Sequence, residues 1–87
     1  MNIIDPTRSQ TLATATGSAT SSTAIPSTTA VVWSIGGGCH IAVGAAPIAT
    51  TSDMCIPNNY PITISLTSGH KISGRADSSA GHLVICY

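Results

Sequence analysis

Three cysteines (Cys39, Cys55, Cys86) and three histidines (His40, His70, His82) are the side chains of this 87-residue chain best suited to metal binding or to nucleophile and base chemistry. Thiolates and imidazoles are the ligands zinc prefers. The spacing does not support a zinc site built with His40, His70 or His82. There is no CxxC pair, and the adjacent Cys39 and His40 would point to opposite faces of a strand. The cysteines are expected to be free thiols buried as small hydrophobes in a reducing cytosol. The histidines would titrate near neutral pH and could gate an interface, although strand and turn positions suffice to explain them. Catalysis by carboxylates needs a pair held in contrasting environments, and the chain has no Glu and three Asp. Asp53 follows Thr51-Ser52 and Asp77 precedes Ser78-Ser79, contexts in which an Asp side chain bonds its own backbone. No G-x-S-x-G elbow marks a serine as nucleophile. Gly36-Gly37-Gly38 lacks the spacing of a phosphate-binding loop, and no helix follows it. The chain is therefore expected to be no enzyme and to use no cofactor and no metal.

The elements that would position these residues are strands. Val31, Trp33 and Ile35 alternate with Val32 and Ser34, the period-2 pattern of a strand with one buried face. This alternation predicts Trp33 in the core. After Gly36-Gly37-Gly38, the residues Cys39, Ile41 and Val43 take one face and His40 and Ala42 the other. The two runs read as a hairpin joined by a short glycine turn. Residues 44 to 61 contain three prolines and Asn58-Asn59 and read as loop, with a short strand around Asp53 to Ile56. Ile62, Ile64 and Leu66 alternate with Thr63, Ser65 and Thr67, the cleanest half-buried strand of the chain. Lys71 to Ala76 continues the rhythm after the turn Ser68-Gly69-His70, and His82 to Tyr87 is an apolar run of strand length. No window reads as a helix. Short strands about ten residues apart, separated by Gly, Pro and Asn turns, predict a small all-β antiparallel sandwich or barrel.

Residues 1–28 are biased toward Thr, Ala and Ser and lack strong apolar periodicity, so they read as an extended N-terminal arm ahead of a β-sandwich domain at 29–87. Within the arm Thr11 to Thr16 alternates weakly, which suits either pairing with a sheet edge or a disordered tail. A domain of this size buries only about 60 to 65% of its unfolded surface, so its core is thin and a partner subunit is the expected source of extra stability.

Ser and Thr fill 24 positions, and only Arg8, Lys71, Arg75, Asp5, Asp53 and Asp77 carry formal charge. A polar, nearly uncharged surface tolerates close association. Three basic residues cannot neutralise the phosphates of a DNA site, which excludes nucleic acid as a partner. No apolar run approaches the length of a membrane helix, and Met1 to Asp5 lacks the basic and apolar regions of a signal peptide, so the chain is expected in the cytosol.

Several turn segments carry a resemblance. They are Cys39-His40-Ile41-Ala42-Val43-Gly44-Ala45-Ala46-Pro47-Ile48-Ala49-Thr50, Met54-Cys55-Ile56-Pro57, Ser68-Gly69-His70-Lys71-Ile72-Ser73 and Gly81-His82-Leu83-Val84-Ile85. Over residues 31–87 the chain resembles small tailed-bacteriophage virion proteins of the capsid decoration or cement type. Ile56-Pro57-Asn58-Asn59 departs from the Pro-Ala-Gly turn usual there, and His70 stands where Asp is common. The resemblance implies a β-sandwich present in many copies on a virion, made in the host cytoplasm, that contacts the major capsid protein and copies of itself, a homotrimer first. The alternative role is a head-fibre, neck or tail-associated module that binds a receptor or partner protein. Leu12, Ile25, Trp33, Tyr60 and Tyr87 are the candidate interface residues.

Overall fold

The computed structural model describes residues 8–87. Eight strands form among them: β1 (Ser9–Thr14), β2 (Thr20–Ser21), β3 (Thr29–Ile35), β4 (Cys39–Gly44), β5 (Met54–Ile56), β6 (Ile62–Ser65), β7 (Lys71–Ala76) and β8 (Gly81–Cys86). They make two four-stranded sheets, ordered β1-β8-β3-β6 and β2-β7-β4-β5, and every pairing between them is antiparallel. No helix among the described residues is long and apolar enough to cross a membrane. One core joins the sheets: Leu12, Ala30, Val32, Leu83 and Ile85 come from the first, and Cys39, Ile41, Ile56 and Ile72 from the second.

The expected hairpin at Gly36-Gly37-Gly38 is corrected. Both strands form where the alternation places them, but β3 lies in the first sheet and β4 in the second. The glycines carry the chain from one sheet to the other. Gly36 has φ 93°, a left-handed conformation that side chains resist. The Asn58 side-chain oxygen accepts hydrogen bonds from the Gly36 and Gly37 amides at 3.1 and 3.2 Å, and the Ser79 hydroxyl donates to the Gly36 carbonyl at 2.8 Å. The buried Ser34 hydroxyl donates to the Gly37 carbonyl. Among the consecutive strand pairs of the described residues, only β4 and β5 stay in one sheet.

The segment read as an arm is, over residues 8–28, part of the sandwich; residues 1–7 of that arm lie outside the described residues. β1 pairs with β8 along its whole length, with Leu12 opposite Leu83, and β2 pairs with β7. Ile25 is fully buried, and its amide and carbonyl bond the backbone of His70 and Gly69 at 2.9 and 2.8 Å. Leu12 and Ile25 are thus core residues rather than interface residues. Each fills the sandwich from a single position, and so neither needs the apolar periodicity that would have announced it.

The phase of β3 is also corrected. Its burial pattern hides Ala30, Val32 and Ser34, while Val31 and Trp33 are half-buried and Ile35 is exposed. Both phases of Thr29–Ile35 are apolar, so the neighbours decide. Val32 lies opposite Ile62 and Ile85, whereas Val31 lies opposite Thr63 and Cys86. A one-residue slip would turn the whole set over, and the register that buries Ile85 and Leu83 leaves Trp33 on the outer face.

Candidate functional site

Two surfaces of the sandwich differ sharply. The loop between β4 and β5 folds back over the outer face of the second sheet. The Ala49 amide donates to the Ser73 hydroxyl at 3.0 Å, the Ser21 hydroxyl donates to the Pro47 carbonyl at 3.1 Å, and a His40 ring nitrogen meets the Asp53 carbonyl at 3.1 Å. Ser73 and His40, whose side chains point outward from their strands, are buried under this strap. Ser73→Ala is expected to cost about 1–3 kcal/mol, because it leaves the buried Ala49 amide without its acceptor. Urea denaturation checks this; an unchanged midpoint would mean that water replaces the hydroxyl.

Among the described residues, nothing of this kind covers the outer face of the first sheet. Across it run Thr11 and Ala13 of β1, His82, Val84 and Cys86 of β8, Val31, Trp33 and Ile35 of β3, and Thr63 and Ser65 of β6. Trp33 lies opposite Val84, which lies opposite Thr11. The face carries no Lys, Arg or Asp. Its centre is apolar where a solvated antiparallel sheet normally alternates to polar residues.

The candidate interface residues part company here. Trp33 lies in the middle of the outer face, and Tyr60 is 63% exposed in the loop before β6. Tyr87 is engaged within the chain: its hydroxyl accepts from Gln10 at 3.1 Å, its ring lies 5.6 Å from the Arg8 guanidinium, and it packs against the core. Leu12 and Ile25 are inside.

At the other end of the strap, the β4–β5 register sets His40 beside Cys55, and the β4–β7 register sets it beside Arg75. Asp77 follows β7, its amide bonded to the Gly38 carbonyl at 3.0 Å. The Nε2 atom of His40 lies 3.0 Å from the Asp77 carboxylate. Both partners of the imidazole are acceptors, so the ring makes both bonds only when both nitrogens carry protons. The Asp53 carbonyl and then the Asp77 carboxylate accordingly raise the His40 pKa above its ordinary value. The Cys55 thiol is also pushed up, by desolvation first and by the Asp77 charge second.

This corrects two expectations. Asp53 behaves as the turn former it resembles, accepting from the Thr50 amide at 2.7 Å, but Asp77 pairs with His40. Of the cysteines only Cys39 is buried; Cys55 is exposed and Cys86 lies on the outer face of the first sheet, with no disulfide. His40, Cys55 and Asp77 offer metal-ligating atoms that all lie within 4.8 Å of one another. No such group among the described residues includes His70 or His82. The missed signal was available: had residues 39–41 been paired with 54–56 across the proline loop, Cys55 rather than Cys39 would have stood beside His40.

A group whose folded pKa is raised contributes stability that is fully present below its unfolded value, 6.5 for His, and is lost as pH rises through the folded pKa. In chelator-treated buffer the urea midpoint is therefore expected to fall as pH is raised from about 6 to 8, and less steeply in Asp77→Asn. A His40 pKa at or below the ordinary value, measured by NMR titration, would refute the pairing.

No family model, no curated protein and no solved structure matches this chain.

Proposed function

We propose that the chain is a structural subunit of a tailed-bacteriophage virion, one that decorates or cements the capsid shell through protein–protein contacts made by the outer face of its first sheet. The observation that carries this reading is the face centred on Trp33, Val31, Ile35 and Val84, which has no charged side chain and no covering loop among the described residues, while the opposite face is roofed by its own loop. Apolar area of that kind on a small domain marks a contact surface. An aromatic residue at its centre suits an interface anchor.

The resemblance of the turn segments to capsid decoration proteins supports the major capsid protein as the partner, with copies of this chain arranged as a trimer. The edges fit such an assembly. β2 and β5 are edges of two and three residues, too short to template much pairing, whereas β1 offers a six-residue edge on the sheet that carries the apolar face. The reading needs no catalysis.

The test is the copy number of the chain in purified particles, by quantitative mass spectrometry against the major capsid protein. A ratio near one per capsid subunit supports shell decoration. A few copies per particle would move the chain to a vertex, neck or fibre, and absence from the particles would remove the reading.

A further inference from the structure

We propose that His40, Cys55 and Asp77 form a binding site for one zinc-type divalent cation, with three protein ligands and a fourth position open to solvent. The inference stands on the second sheet and is independent of what the first sheet contacts.

The donors come from three segments that the fold brings together: the middle of β4, the cross-strand neighbour on β5, and the residue after β7. In a tetrahedral zinc site with ordinary bond lengths the donor atoms stand about 3.3–3.7 Å apart. Here the imidazole and carboxylate are 3.0 Å apart, and all three donors lie within 4.8 Å. Closing that gap takes a movement of about an ångström, and both Cys55 and Asp77 are exposed side chains free to make it.

His40 is already held as a ligand would be. Its Nδ1 faces the Asp53 carbonyl at 3.1 Å, so Nδ1–H donates there and Nε2 is turned toward Asp77. Metal-bound histidines almost always anchor their second nitrogen in this way. The loop that supplies the carbonyl is itself braced, because the Asp53 carboxylate accepts from both the amide and the hydroxyl of Thr50. Gly38 borders the site. A Cβ at that position would stand 3.5 Å from Cys55 Sγ and 3.7 Å from Asp77 Cβ, in ordinary contact with both. Arg75 is on the same face, but its Nε donates to the Thr16 carbonyl at 3.2 Å.

The donor set selects the ion. One thiolate, one imidazole and one carboxylate match a borderline-soft cation, whereas calcium and magnesium require mostly oxygen ligands. Binding displaces the Nε2 proton that bridges His40 and Asp77, together with the Cys55 thiol proton, and both pass to solvent. A thiolate and a carboxylate then balance the charge of the ion, and neutral imidazole supplies the third donor. The ion would tie β5, the short edge strand, to β4 and to the end of β7.

The test is titration of the chelator-stripped full chain with Co²⁺ under reducing conditions at neutral pH. One equivalent is expected to bind, with a thiolate-to-cobalt charge-transfer band and the intense visible bands of four-coordinate cobalt, and Zn²⁺ is expected to abolish both. Cys55→Ser should remove the charge-transfer band, and Asp77→Asn should weaken binding about tenfold or more. Cys86→Ser should leave both unchanged. Saturating Zn²⁺ should raise the melting temperature of the parent chain on the order of 10 °C and that of Cys55→Ser far less. Because both substituted ligands are exposed, the variants are expected to fold. A charge-transfer band that survives Cys55→Ser, or no binding by a folded parent chain at a tenfold excess of cobalt, would overturn the site.

Discussion

Replacing Gly81 with alanine is expected to destabilise the protein by at least about 3 kcal/mol, a large part of the roughly 5–10 kcal/mol that holds a domain of this size together. Gly81 opens β8, the strand that pairs with both β1 and β3 at the centre of the first sheet. A Cβ there would fall inside the van der Waals shell of the Ile35 carbonyl oxygen, with the Ile35 carbonyl carbon 3.1 Å away and the Gly36 Cα 3.2 Å away. All three atoms are backbone, and the Gly36 segment is fixed by Asn58 and Ser79, so no side chain can rotate to make room. Relief requires the start of β8 to leave β3. That would also strain the bond from the Gly81 amide to the Thr14 hydroxyl at 3.0 Å. Gly44 and Gly17 supply the comparison: a Cβ at either meets nothing within 4 Å, and neither has a positive φ. Alanine at those positions should change stability by no more than about 0.5 kcal/mol. Urea denaturation of the three variants checks the contrast, and a Gly81→Ala midpoint equal to that of Gly44→Ala would mean that β8 does not pack against the glycine turn.

The strands most legible in the sequence are those whose two faces differ in polarity. Ile62–Ser65 and Lys71–Ala76 form where their alternation places them, and the short strand expected within residues 44 to 61, around Asp53 to Ile56, is found at Met54–Ile56. What could not be read is which strands are neighbours. Gly36-Gly37-Gly38 turns the chain equally well within a sheet or between two, and only the packing of Ser34, Asn58 and Ser79 around it decides. The N-terminal segment was legible only in part: the weak alternation of Thr11 to Thr16 left edge pairing and a disordered tail as alternatives, and the structure shows the pairing. β1 is a threonine-rich strand whose apolar partner surface, Leu83 and Ile85, belongs to the far end of the chain. The metal-ligand cluster depends on the same long-range pairings. His40 and Cys55 stand fifteen residues apart and meet only through the β4–β5 register, and Asp77 arrives by way of β7.

The two phases of β3 give the other large effect, through a pair of aspartates one residue apart. Val32→Asp is expected to unfold the chain. Val32 is fully buried against Ile62, Ile85 and a core cluster that includes no Lys, Arg or His among the described residues, and a carboxyl group placed there loses its hydration without gaining a partner. Together with the lost burial of the valine this costs about 4–5 kcal/mol, close to the whole stability of so small a domain. Val31→Asp puts the same charge on the outer face, opposite Cys86 and Thr63, where water reaches it; the expected cost is about 1 kcal/mol, from lost strand propensity and cross-strand packing. Circular dichroism and urea denaturation should therefore find Val31→Asp folded and Val32→Asp unfolded. The reverse result would put Trp33 in the core and remove the apolar face on which the proposed docking depends. Because Val31→Asp keeps the fold while charging the centre of that face, it also separates folding from assembly. A folded Val31→Asp chain that no longer joins purified particles would locate the contact on the first sheet, and one that still joins them would move it elsewhere.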